Sequence, residues 1–268
     1  MAIAAVVKLG GDVLTAPALN VAAAEIARAC ASGLRLIVVH GGGPQTTELS
    51  RRLGIEPKLV GGRRITDEAS LDAVKMVVAG RLNVDLVAAL RAAGVPAVGL
   101  SGSSGVVRAH RRPPRVVSGS GGAAVDFGLV GDVEGIDRAL LDALDAGAYL
   151  PVVACLGADA AGTILNINAD VVASQLAAAV GATALVACTA VGGVRRNKDD
   201  PATRIPRLTV AEARAAIADG VVQGGMIPKL EEAFAPLAAG VGAVHIVAPV
   251  EIAASLAAPG SVGTLLVA

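Results

Sequence analysis

Short runs of Val, Leu and Ile alternate along this chain with longer Ala-rich segments whose apolar positions recur at helical spacing. The short runs predict strands at Ile3–Lys8, Arg35–His40, Ala97–Ser101, Leu150–Cys155, Ala184–Cys188, Val244–Val247 and Gly263–Val267. Several are apolar throughout, as strands are when helices cover both faces of a parallel sheet. Helices are predicted at Asn20–Ala31, Gln45–Leu53, Glu68–Ala93, Gly135–Ala146, Val171–Val180, Val210–Ala218, Lys229–Ala239 and Val250–Ala257. The alternation specifies an α/β fold with a mostly parallel sheet. One stretch, Gly102 to Val133, breaks the pattern. Pro113, Pro114 and the Ser118–Gly122 cluster make it a hairpin-like excursion, either a surface loop or a mobile flap over an active site.

Composition then excludes several classes. A chain of 268 residues suits one large domain or two lobes sharing a sheet. With one Tyr and two Phe, the core must come from Ala, Val, Leu and Ile, and no row of rings exists to stack single-stranded nucleic acid. The 23 basic and 23 acidic residues cancel, and the nearest approach to a basic patch is Arg108 to Arg115, which gives a polyanion partner little support. Val171 to Val194 is uncharged and longer than the roughly 18 residues that nominate a membrane helix. Gly181 divides it into a buried helix and a buried strand, so no membrane span is expected. Cys30, Cys155 and Cys188 lack metal-ligand spacing and read as buried thiols in a reducing compartment. No signal-peptide pattern opens the chain, so a cytoplasmic protein is expected.

Four polar or glycine-bearing turns carry the candidate chemistry, each where an α/β sheet presents ligands. Lys8-Leu9-Gly10-Gly11-Asp12 ends the first strand; paired glycines let backbone N–H groups approach an anion, and Lys8 is either a point charge for phosphoryl oxygens or solvated decoration. His40-Gly41-Gly42-Gly43-Pro44 has the makings of an anion-binding helix N-terminus, with His40 read as structural and not as a base. Asn166-Ile167-Asn168-Ala169-Asp170 enters an apolar helix; an N-cap explains one of its polar residues and leaves the others over. Gly224-Gly225-Met226-Ile227-Pro228-Lys229 opens another helix, where Lys229 opposes the dipole unless an anion meets it. There is no histidine or cysteine nucleophile set, no metal cluster and no dinucleotide fingerprint. Two lysines, an aspartate and several glycine cradles suit phosphoryl transfer, in which positioning and charge neutralisation are the main tasks.

Those four turns, together with Gly62–Asp67, Ala79–Asn83, Val98–Gly102, Phe127–Val133, Tyr149–Val153 and the closing Gly263–Val267, stand in an order that resembles the amino acid kinase family. The resemblance implies a three-layer α/β/α sandwich with a mostly parallel central sheet, the carbamate-kinase-like fold. It implies one domain with an N-terminal lobe of about 1–160 for the acceptor and dimerisation, and a C-terminal lobe of about 161–268 for ATP. It further implies γ-phosphate transfer from ATP to the side-chain carboxylate of N-acetyl-L-glutamate, in arginine biosynthesis, with Mg²⁺ arriving on the nucleotide. In that reading Lys8 and Lys229 neutralise the migrating phosphoryl group and Asp170 holds both lysines. Gly10 and Gly11 cradle nucleotide phosphates, while Gly42, Gly43, Arg64 and Asn166 bind the acceptor. Thr189, Ala190, Val191, Gly192, Gly193, Val194 and Arg195, with Val221, Val222 and Gln223, contact the nucleotide. No protein metal ligand is implied. The family usually carries Ser/Thr-Asp-Val where this chain reads Thr189-Ala190-Val191, and an acidic residue where it reads Ser103-Ser104-Gly105. A homodimer is implied, with Glu68–Ala93 as a candidate contact. The chain starts on its first strand, without the N-terminal helix of arginine-inhibited hexamers, which implies no such feedback. The alternatives left open are a sister kinase for acetylated or carrier-linked 2-aminoadipate and a degenerate nucleotide- or amino-acid-binding sensor.

Overall fold

All the strands predicted from the apolar runs join a single sheet. Among the residues described by the computed structural model (3–117, 119–197, 199–223 and 226–268), its spatial order is Arg207–Thr209, Thr264–Val267, Ala243–Val247, Ala184–Cys188, Ala5–Leu9, Leu36–His40, Leu150–Ala154 and Ala97–Ser101. Ser118, Gly224 and Gly225, part of the loop cluster and of the fourth turn, lie outside the described residues. Neighbouring strands are parallel except Ala243–Val247 and Thr264–Val267, which are antiparallel. Val6, Val7, Val38, Val39, Val152, Val153 and Val186 are fully buried. Strands with no polar face must be covered on both sides, which is what the helices supply.

The helices are α1 (Ala16–Ala31), α2 (Gly43–Arg52), α3 (Glu68–Val74), α4 (Asn83–Ala92), α5 (Ala139–Ala146), α6 (Ala169–Val180), α7 (Val210–Ala218), α8 (Met226–Ala238) and α9 (Ile252–Ala257). Helix α1 packs on α4 and α9, and α6 packs on α8 and on the central strands, giving a three-layer α/β/α sandwich. Chain order assigns the two halves of the sheet. Strands before residue 155 lie on one side of the Ala5–Leu9/Ala184–Cys188 boundary and strands after residue 183 on the other, with Ala5–Leu9 belonging to the first set. That boundary is the topological switch point, where open α/β sheets leave a crevice at the carboxyl ends of their strands.

Several boundaries differ from the sequence expectation. Residues Gly135 and Ile136 do not begin a helix; they close a strand, Gly131–Ile136, and α5 starts at Ala139. The strand is imposed by its partner, because it pairs with Val107–Arg111 and the Arg108 guanidinium lies where a Cβ of Gly135 would sit. The 68–93 segment is helical, but Lys75–Leu82 is wound as a π-helix between α3 and α4. Helix α8 starts at Met226, so Lys229 is not its first residue. The edge strand Arg207–Thr209 carried too few apolar residues to be read from the pattern.

The excursion after Ser101 is an antiparallel ribbon and no loose loop. Ile164–Asn166, Leu156–Ala158, Val107–Arg111 and Gly131–Ile136 form a second sheet, with a small ladder between Arg115–Val116 and Ala124–Val125. Gly128 joins this ribbon to the 58–66 segment. Thr66 N–H donates to Phe127 O at 2.9 Å and Leu129 N–H to Thr66 O at 2.7 Å. At Gly128 φ is +70°, and a Cβ would lie 2.4 Å from Thr66 O. Gly128→Ala therefore meets both a strained backbone and a backbone clash. It should cost about 1–3 kcal/mol, read as a fall of several degrees in the thermal midpoint.

Among the described residues, no helix is long and apolar enough to cross a membrane.

Candidate active site

Lys8 is the penultimate residue of the first strand, between fully buried Val7 and Leu9. Its side chain is 12% exposed and its Nζ lies 2.7 Å from Asp170 Oδ1. Burial alone would lower the pKa of such an ammonium. Asp170 more than offsets this, aided by Glu232 and Asp12, so Lys8 is held above its ordinary value and remains charged. Asp170 is the second residue of α6, where a carboxylate is favoured by the helix dipole. Asn168 caps that helix by accepting from the Asp170 N–H at 2.8 Å. From α8, Glu232 Oε1 accepts from Asn168 Nδ2 at 3.0 Å, and its carboxyl is within hydrogen-bonding reach of Asp170. Burial, then the adjoining Asp170, push the Glu232 pKa up to about 7.

Two glycine turns meet above this pair. Gly10 N–H donates to Cys188 O at 3.1 Å, tying the first loop to the neighbouring strand. Side chains are sterically excluded here: a Cβ on Gly11 would lie 2.8 Å from Pro44 Cδ, and one on Gly42 would lie 2.4 Å from Leu82 Cδ1. The π-helical turn supplies that Leu82 contact. Gln45 Nε2 donates to Gly11 O at 2.6 Å and fastens one loop to the other. Helix α2 begins at Gly43 with Pro44 in its first turn, which leaves its leading N–H groups facing the opening as an anion site. His40 lies beneath. Its Nδ1 donates to Gly41 O, its Nε2 accepts from Asn83 Nδ2 at 3.0 Å, and burial lowers its pKa to about 4. It is a neutral structural histidine.

Arg64 reaches the opening from a tight hairpin, Leu59–Val60 against Arg63–Arg64. The two-residue turn has positive φ at Gly61 (55°) and Gly62 (75°), the primed geometry that glycine makes available. Arg64 Nη2 donates to Thr47 Oγ1 at 2.6 Å and to Gly43 O at 3.2 Å. Its Nη1 is buried without a partner. Desolvation lowers its pKa from the ordinary arginine value, yet a guanidinium remains charged. The ribbon forms the facing wall. Arg112, 5% exposed, donates twice to Asp132 Oδ1, from Nη2 at 2.6 Å and from Nε at 2.9 Å. Arg115, Phe127 and Val130 complete that side.

The result is one cleft of about 610 Å³ that gathers Lys8, Gly10, Gly11, Gly42, Gly43, Arg64, Asn166 and Asp170. The ribbon is thus a wall of this cleft. Lys229 does not line it. It is half-buried on α8 and, among the described residues, makes no ion pair, but it stands one helical turn before Glu232. Thr189–Arg195 and Val221–Gln223 do not line it either. Thr189 is buried, and Ala190 N–H donates to Asp12 Oδ2 at 3.0 Å, which brings that loop alongside Gly10 and Gly11. Val222 is buried and Gln223 Nε2 donates to Gly220 O.

Sequence reasoning missed Glu232, Asp12, Arg112 and Arg115. Glu232 was signalled by its i+3 spacing from Lys229. Asp12 supplies a carboxylate to the very loop that lacks one at Ala190. The arginines lay in the basic patch, whose fold was needed to aim them. Cys155 and Cys188 are buried, with burial raising both pKa values to about 12, whereas Cys30 is only half-buried.

The model of the "Amino acid kinase family" matches residues 4–248. Acetylglutamate kinase of Sorangium cellulosum is 54% identical, over 98% of this chain and 94% of that one. Acetylglutamate kinase of Anaeromyxobacter dehalogenans is 53% identical over 98% of both. Among solved structures, N-acetylglutamate synthase from Neisseria gonorrhoeae in complex with coenzyme A and N-acetyl-glutamate superposes with a TM-score of 0.83 at 25% identity, over 99% of this chain and 59% of that one. Carbamate kinase of Giardia lamblia bound to AMP-PNP shares the fold, with a TM-score of 0.72 at 17% identity over 99% of this chain and 98% of that one.

Proposed function

The chain belongs to the amino acid kinase family, and from that premise we infer that it phosphorylates the side-chain carboxylate of N-acetyl-L-glutamate with ATP, a step of arginine biosynthesis. The observation that carries this reading is the cleft itself: a half-buried lysine–aspartate pair beneath two glycine turns, facing an arginine with an unused buried N–H. A γ-carboxylate with an ordinary pKa near about 4.3 is already ionised at neutral pH, so no base is required. One of its oxygens attacks the γ-phosphorus while the bond to the β,γ-bridging oxygen breaks, giving an acyl phosphate and ADP. Lys8 neutralises charge on the transferring group, and Asp170 fixes the position of Lys8.

Gly11 offers its amide to the nucleotide beside Gly10, whose own N–H is taken by Cys188 O and whose bare Cα leaves room for the phosphates, and Gly42 and Gly43 at the start of α2 offer amides to the acceptor and the phosphoryl group. Arg64 clamps the acceptor's α-carboxylate through Nη1, and Asn166 hydrogen-bonds the acceptor. Residues of about 1–160 thereby supply most of the acceptor's contacts and those of about 161–268 most of ATP's, with Asn166 and the Gly10–Gly11 turn reaching across the sheet's switch point. The nucleotide lies along Thr189–Arg195 and Val221–Gln223, where the Asp12–Ala190 bond keeps the loop against the glycines. Mg²⁺ accompanies the triphosphate and neutralises its charge. The residues present fit a metal carried in this way, because the cleft presents cations and amides to phosphate oxygens and, among the described residues, no group of three or more His, Cys, Asp or Glu is arranged to hold an ion.

Lys229 is the second ammonium. It stands about one helical turn, ~5 Å along the axis, from the place Glu232 occupies beside Asp170. Closure of α8 over the cleft on ATP binding delivers it. The enzyme acts in the cytoplasm as a homodimer joined through the 68–93 segment, whose outer face exposes Met76 and Val84.

Trapping the acyl phosphate as a hydroxamate tests the acceptor directly. N-acetyl-L-glutamate should give product, and glutamate and 2-aminoadipate derivatives should give far less; equal product from an aminoadipate acceptor would point to the sister kinase. Arg64→Ala should raise the KM for N-acetyl-L-glutamate about 10–100-fold with a smaller change in kcat, as expected when a hydrogen-bonded charge contact of about 1.5–3 kcal/mol is lost. An unchanged KM would remove Arg64 from the site.

A further inference from the structure

The carboxyl of Glu232 sits in the cleft without a task in the reaction above. We infer that Glu232 is a positioning residue for ATP use: its contacts with Asn168 and Asp170 dock α8 on the N-terminus of α6 and so set where Lys229 enters the cleft. The inference rests on the reading of Lys229 given above.

Three observations carry it. Helix α8 packs on α6, with Leu230, Ala233 and Leu237 buried, and the polar connection between the two helices is Asn168 Nδ2 donating to Glu232 Oε1 at 3.0 Å. Glu232 also lies against Asp170, the partner of Lys8. Finally, Glu232 lines the cleft while Lys229, three residues earlier on the same helical face, does not. Whatever fixes Glu232 therefore fixes the approach of Lys229.

Two carboxyl groups in contact bind well only when they share a proton. Facing Glu232 are Lys8 from the first strand and Asn168 and Asp170 from α6. Its own helix adds Lys229 and Glu231, the latter exposed. From α7, Arg214 is engaged over the Phe234 ring, and His245 of the adjoining strand bonds to the Ser255 backbone. One cation thus faces two acids. With Glu232 protonated, Lys8 and Asp170 balance and the contact is a hydrogen bond. With Glu232 ionised, the cluster carries a surplus negative charge, the contact turns repulsive, and an incoming triphosphate is repelled. The raised pKa of Glu232 is that of an acid whose protonated form is favoured below about 7 and lost above it.

The test is the KM for Mg²⁺-ATP at saturating N-acetyl-L-glutamate, measured between about pH 6 and 9. In the wild type KM should rise by up to about tenfold per pH unit above the transition, with kcat changing less. Glu232→Gln stays neutral at every pH and retains both hydrogen bonds, its amide donating to Asp170 and its carbonyl accepting from Asn168. Its KM should be flat and match the wild-type value at the acid end. Glu231→Gln, altered on the exposed neighbour, should keep the wild-type profile. The titration of ATP is common to all three and cancels in the comparison. A wild-type KM independent of pH, or a Glu232→Gln profile that rises as the wild type does, overturns the inference. Loss of the reaction's dependence on Lys229 would instead strike at the underlying reading and is detected separately by Lys229→Ala.

Discussion

Replacing Lys8 with alanine should lower kcat about 10²–10³-fold while the KM for ATP moves several-fold at most. The expected size is that of removing one preorganised charge donor from a site where charge develops, about 2.7–4 kcal/mol. Lys8 is suited to that task because it is already in place: it is 12% exposed, held by Asp170 at 2.7 Å, and seated on a rigid central strand. It costs little reorganisation when the phosphoryl group arrives. The variant should fold, because removing the cation leaves Asp170 beside Glu232, which can keep its proton. The comparison belongs near neutral pH. The Lys8 pKa is raised above its unfolded value of 10.5, so the stability contributed by the ion pair is fully present below that value and is lost only as pH rises through the folded pKa. Steady-state kinetics decide the matter; equal losses in ATP binding and in turnover would make Lys8 a ground-state ligand only.

Lys229→Ala should produce the second large loss, about 10²-fold in kcat, although Lys229 lies outside the cleft lining. A helix presents residues i and i+3 on one face, so closure of α8 about the Glu232–Asn168 contact swings Lys229 toward Asp170 without displacing Glu232. If both ammonium groups act on one phosphoryl group, their effects overlap, and Lys8→Ala with Lys229→Ala should cost distinctly less than the product of the single losses. Strict multiplication would mean two separate sites of action. Wild-type turnover in Lys229→Ala would confine the chemistry to Lys8 and Asp170.

Much of the fold could be read from the chain because its central strands are apolar but for Lys8 and His40 at their carboxyl ends. Ala5–Leu9, Leu36–His40 and Leu150–Ala154 admit no face toward water, and the parallel sheet follows. What the pattern could not convey was decided by partners distant in sequence. Gly131–Ile136 is a strand because Val107–Arg111 pairs with it, and the π-helical turn at Lys75–Leu82 packs Leu82 over Gly42. The site divides in the same way. Lys8, the glycine turns and Asp170 end strands or begin helices, positions that sequence marks well. Arg112 and Arg115 depend on the aim of a ribbon, and Glu232 on the rotation of α8 about its axis. The dipole argument for Lys229 depended on a helix start that proved to lie three residues earlier, at Met226.

The central claim is that two ammonium groups meet one phosphoryl group with Asp170 between them. A crystal structure with ADP, Mg²⁺, tetrafluoroaluminate and N-acetyl-L-glutamate tests it most directly. The account predicts Lys8 Nζ and Lys229 Nζ both within hydrogen-bonding distance, about 3 Å, of the fluoroaluminate, and both bonded to Asp170. A complex in which the fluoroaluminate is bound and Lys229 remains a helical turn away from Asp170 would contradict it.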